Sequence, residues 1–168
     1  MAKRPLKQSL YAIVLFSFIF CGCTHTVDCS YALMTPVFTG YDLSDIDTLV
    51  LRKYKADDGF NSLIDTFLIT KANAHYDGRD QYFIVNINVG DLGSNGLNKG
   101  AIQAGYDWQL FVPAVNRTVA ISAIRSEHQT MKVGPAMDKT TCIDKISSFR
   151  QDGVGMVTGD SPFFYVQR

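Results

Sequence analysis

Of the 16 acidic residues in this 168-residue chain, Glu127 is the only glutamate and the other fifteen are aspartates. That imbalance restricts the fold more than any other feature. Glutamate is a good helix former, whereas aspartate bonds to nearby backbone groups and so belongs in turns and caps. The chain is also rich in Val, Ile, Thr, Tyr and Phe, with 13 glycines to punctuate it. Strands separated by turns are the structure such a composition supports, and an all-β domain poor in helix is expected.

Alternation with a period of two places the strands. It is clearest over residues 81–89, where Phe83, Val85, Ile87 and Val89 share one face. Over 106–113, Tyr106, Trp108, Leu110 and Val112 alternate with Asp107, Gln109 and Phe111, and 117–124 is expected to return beside them as a hairpin. Residues 48–55, 128–133, 140–149 and 163–167 read as strands, and 61–70 fits either a strand or a short helix, with strand favoured. Residues 31–41 are apolar and extended, with Pro36 marking an edge strand or a bulge. Asp77-Gly78 is a hairpin-type turn signal, 90–105 reads as a long exposed loop, and 151–160 as another loop. Seven to nine short strands spaced in this way predict a single antiparallel β-sandwich over 31–168, immunoglobulin-like or transthyretin-like in architecture. The order Cys29, Trp108, Cys142 has the immunoglobulin sequence of residue types, but its spacing is far too wide for that motif.

The N-terminus addresses the chain. Lys3, Arg4 and Lys7 precede an apolar run over 10–20 broken only by Ser17, the layout of a secretory signal helix. A run of about 10 to 14 residues is too short to cross hydrocarbon, which needs roughly 20. Phe20-Cys21-Gly22-Cys23 resembles the lipobox of bacterial lipoproteins. The resemblance implies a signal peptide over 1–22, a diacylglyceryl group on the Cys23 thiol, a further palmitate-type chain on the new amine, and a lipidated tether over 23–30. Cys21 fits less well, because Phe20 stands where a small residue is needed. Two or three acyl chains hold a protein stably to a bilayer, whereas one does so marginally. Thr24 after the lipidated cysteine favours the outer over the inner membrane of a bacterial cell envelope. An ordinary cleaved signal is the alternative.

On that processing, Cys29 and Cys142 are the two thiols left in an oxidising compartment, and a disulfide between them is expected. Two separate buried thiols are the alternative. Removing 1–22 also takes three basic residues and no acidic one, so the mature chain is mildly acidic. It offers no footprint for nucleic acid.

No motif names a chemistry. Asp42, Asp45 and Asp47 cluster, and Asp91 lies near Asn95, but neither group has the EF-hand spacing, and no metal is expected. After processing the histidines are His25, His75 and His128, with no nucleophile elbow or zinc-binding pair around them. No catalytic residue and no cofactor is assigned. The aromatic residues Tyr82, Tyr106 and Trp108 are candidates for a surface that binds an envelope protein or a glycan. Packing in the core is the ordinary fate of such residues. Function is therefore expected to be binding or structural assembly at the membrane, more consistent with a non-enzyme. The alternative is an envelope hydrolase acting on glycan or peptide through a pair of loop aspartates.

Overall fold

The computed structural model describes residues 32–79, 81–92, 97–133, 139–159 and 162–168. The signal helix, the tether, Cys23, Cys29 and Asn95-Gly96 lie outside the described residues, as does most of the turn expected over 134–139. The described chain forms β1 (Thr35–Thr39), β2 (Thr48–Lys55), β3 (Leu63–Thr70), β4 (Ala74–Arg79), β5 (Tyr82–Ile87), β6 (Tyr106–Val112), a 3-10 turn (Pro113–Val115), β7 (Arg117–Val133), β8 (Lys139–Gln151), β9 (Val154–Val157) and β10 (Phe163–Gln167). The domain is all-β.

Two sheets result, one ordered β10-β1-β5-β4 and the other β3-β2-β6-β7-β8-β9. They share one core: Phe38, Val85, Phe164 and Val166 from the first meet Leu49, Leu51, Ile69, Trp108, Leu110 and Ile121 from the second. The period-two reading explains which residues these are. Trp108, Leu110 and Val112 are fully buried on one face of β6, and Leu49 and Leu51 on the same face of the neighbouring β2. Burying such side chains stabilises by about 1.5 to 3 kcal/mol each before chain entropy is counted.

Several expectations change. The ladder is antiparallel except between β1 and β10, which run parallel. β1 is not an edge strand, since β5 flanks its other side. Its pairing with β5 covers only Val37 to Thr39, however, so Pro36 sits where no β5 partner requires a donor. Asp77-Gly78 lies inside β4, opposite Ile84 and Phe83, and turns nothing. Residues 117–124 and 128–133 belong to one long strand, β7, and its pairing with β8 shifts register around Arg125. Ala123, at φ 49°, marks the bulge that lets so long a hairpin bend. The stretch read as an exposed loop over 90–105 dips back into the core: Ile102 is buried, its carbonyl accepts from the Met34 N–H, and Gly100 lies so close to Val89 that a Cβ would meet it at 2.5 Å.

Candidate functional site

Buried polar groups are more informative than buried apolar ones, and β2 carries one. Continuing the inward alternation of Leu49 and Leu51 places Lys53 inside the sandwich, 7% exposed and level with Trp108 on β6. Its Nζ lies 3.6 Å from the centroid of the Tyr106 ring and 5.3 Å from that of Trp108, and it donates to the Lys99 carbonyl at 3.5 Å. The two rings meet edge to face, and the Trp108 Nε1–H donates to the Gln103 carbonyl at 3.2 Å. The Trp108 indole and the Lys53 ammonium thus fasten the segment 97–105 to the sheet. Burial holds the Lys53 amine below its ordinary value, with Lys99 adding to the effect and Asp65 opposing it.

The native state therefore releases the Lys53 proton more readily than the unfolded chain, which binds more protons in the interval below the ordinary value of 10.5. Stability contributed by this group rises with pH through that interval. Urea midpoints for the native chain and Lys53→Met, measured at about pH 7 and about pH 10, are expected to move in the native chain's favour at the higher pH. Parallel midpoints would show that Lys53 ionises as freely in the fold as in the unfolded chain.

Asp107 points the other way from Trp108 and is also buried. One carboxylate oxygen accepts from the Asp57 N–H at 3.1 Å and the other from the Ala123 N–H at 3.3 Å, so it anchors the bulge of β7 to the β2–β3 turn. Burial raises its acid above the usual range, with Asp57 and Asp58 nearby adding to this and the two N–H donors opposing it. A carboxylate with both oxygens committed to backbone and no exposed surface is poorly placed to act on a polymer.

The residues singled out from sequence separate. Trp108 is wholly buried and presents no face to a ligand, which corrects its place in a binding surface: a large ring at an inward strand position buries apolar area instead. Tyr106 is half-buried beside it as the wall against Lys53. Tyr82 lies in the other sheet, opposite Thr39 and Arg79. No shared aromatic surface joins the three.

Cys142 is buried on β8, and its ligand atom clusters with those of His128 and Asp144 within 4.8 Å. The His128 Nδ1 and Asp144 Oδ1 are hydrogen-bonded across the β7–β8 ladder. Cys142 has an interaction partner of its own. That leaves one imidazole and one carboxylate, too few for a structural metal centre. Asp42 and Asp45, from the aspartate cluster for which no metal is expected, face Arg168, whose guanidinium lies 2.9 Å from Asp45 and 4.0 Å from Asp42.

Sequence reasoning missed β9. Asp152 and Gly153 both have positive φ, at 50° and 83°, which is the two-residue turn that suits a hairpin. The turn returns the chain as Val154–Val157 against β8, at the edge of the larger sheet. All four residues are exposed, Val157 at 87%. Met156 and Val157 line a cleft of about 320 Å³ together with Phe163 and Tyr165 of β10 and the buried Phe149 and Phe164. The other edges are guarded: β3 carries Asp65, β4 carries His75 and Asp77, and on β10 the Gln151 Nε2–H donates to the Tyr165 carbonyl at 2.7 Å. β9 carries no charge.

Comparison with protein-family models, with curated proteins and with solved structures returns no match. Among the described residues, no helix is long and apolar enough to cross a membrane.

Proposed function

We propose that this chain is a binding or assembly module of the bacterial cell envelope, held to the membrane by acyl chains on Cys23, with the outer membrane favoured, and braced by a Cys29–Cys142 disulfide. Its working surface on this reading is β9 with the adjoining cleft. The observation that carries it is an edge strand bare of charge beside an apolar cleft, where the other edges are shielded. Soluble proteins protect such edges because they accept strands from other chains. An extended partner segment pairing with β9 would gain main-chain hydrogen bonds from the edge and seat alternate side chains against Met156 and Tyr165. The anchor rests on the lipobox resemblance of residues 20–23. The hydrolase alternative has less support, since the acid with a raised titration point, Asp107, is buried and bonded to backbone.

A photoreactive residue at position 157 in the full chain, expressed in a bacterial envelope, is expected to give a discrete adduct that Val154→Lys abolishes, while the same probe at Asp91 gives none. Adducts at both positions, or persistence in Val154→Lys, would defeat the β9 reading. Cys23→Ser is expected to lose fatty-acid labelling and membrane retention together. Retention without label would defeat the anchor.

A further inference from the structure

A second cavity lies where the β6–β7 connection meets the ends of β1 and β10. About 410 Å³ is lined by Tyr41, Val115, Asn116, Arg117, Thr118 and Arg168. Arg117 and Arg168 thus bring two guanidinium-bearing residues to one cavity, beside the apolar Val115 and the Tyr41 ring. The two arginines differ in what they already hold. Arg168 is engaged with Asp45 and Asp42, and the Tyr41 hydroxyl donates to the Gln167 carbonyl at 3.2 Å. Arg117 makes no ion pair or side-chain hydrogen bond among the described residues, yet it and Arg168 are the two cations whose fields reach the Tyr41 hydroxyl.

The local backbone fixes Arg117 in this position. Asn116 adopts a left-handed conformation at φ 51°, ending the 3-10 turn with its N–H on the Pro113 carbonyl. Arg117 follows as the first residue of β7, opposite Val112. Its side chain leaves a rigid strand start, and less freedom is lost on binding than from a flexible loop.

We infer that this cavity is a binding site for a small organic carboxylate, held by the free Arg117 fork with its apolar part against Val115 and Tyr41. Guanidinium presents paired donors that match a planar carboxylate in bidentate fashion. The charge balance selects among anions. Asp42 and Asp45 stand beside Arg168, so each added negative charge on a ligand is repelled as well as attracted. A phosphate monoester, at about −1.5 to −2 near neutral pH, suffers from this more than a monoanion does. A lipid headgroup is disfavoured by position. Ala32 and Leu33, where the chain enters the domain, line a cavity with Gln129 of β7, and twelve residues of strand from Arg117 to Gln129 span roughly 40 Å.

The test uses the full chain in detergent, titrated with propionate and, separately, with inorganic phosphate, binding being followed by saturation-transfer NMR and calorimetry. Propionate is expected to bind saturably and more tightly than phosphate. Arg117→Gln should weaken it about tenfold to a hundredfold, Arg117→Lys should weaken it too because the fork is lost, and Arg150→Gln, on β8, should leave it unchanged. Thr118→Glu, an exposed change that puts a negative charge beside the cavity, should weaken binding without moving the melting temperature. Absence of saturation, tighter binding of phosphate, or equal affinities for the native chain and Arg117→Gln would each overturn the assignment. None of these readouts involves β9, so the site stands or falls separately from the strand-pairing surface.

Discussion

Trp108→Ala is expected to lower the unfolding free energy by about 3 to 5 kcal/mol, the range for emptying a buried tryptophan site. Small domains hold only about 5 to 15 kcal/mol in all, so the variant should unfold at a much lower urea concentration. The size of the effect follows from how many elements meet at this ring. Trp108 has no exposed surface, touches Tyr106 edge to face with centroids 6.2 Å apart, lies near the Lys53 ammonium, and ties the Gln103 carbonyl to the sheet. Removing it leaves a cavity, breaks the bond to the Gln103 carbonyl and leaves half of the aromatic shelter over a buried cation. Tyr165→Ala, on β10 at 51% exposure, is the matched control and should cost well under half as much. Denaturation followed by circular dichroism checks both. Equal shifts would mean that Trp108 is not the centre of the core.

The same position shows what was legible in the sequence. The alternation around Trp108 gave its strand and its neighbours correctly, because period two is a property of the backbone and needs no partner. It could not say whether the inward face met solvent or another sheet, and Trp108 and Tyr106 therefore looked equally fit for a binding surface. Lys53 is the reverse case. Its place on the inward face follows from Leu49 and Leu51, yet a lysine reads as solvent-facing until Tyr106 and Trp108 are seen to shelter it. Two Asp-Gly dipeptides make the point for turns. Asp77-Gly78 and Asp152-Gly153 carry the same local signal, but the first is drawn into β4 by pairing with β5, and only the second turns. That choice depends on contacts distant in sequence. Taking the wrong dipeptide hid β9, and with it the cleft on which the functional reading rests. The Arg117 cavity was hidden for a similar reason, since Tyr41, Arg117 and Arg168 come from three well-separated segments.

Loss of the proposed Cys29–Cys142 bridge is the second large effect expected. A link across more than a hundred residues is worth up to about 4.7 kcal/mol in the chain-entropy model, and removing a native disulfide typically costs 2 to 5 kcal/mol. The setting of Cys142 favours the upper part of that range. It sits at 5% exposure on β8 opposite Thr130, two strand positions from Asp144 and four from Ile146, near the cavity that Ala32 and Leu33 also line. A cross-link there joins the start of the domain to its longest hairpin. Cys142→Ala alone confounds the lost bond with lost packing, so the decisive measurement is a double-mutant cycle. Cys29→Ala and Cys142→Ala should each lower stability by a similar amount, the double variant should fall little further, and dithiothreitol should lower the native chain to the same level while leaving the double variant where it is. Additive losses would show two independent thiols in place of one bond. The bridge would then be wrong even if the anchor at Cys23 were right, because lipidation at Cys23 leaves two thiols available without requiring that they meet.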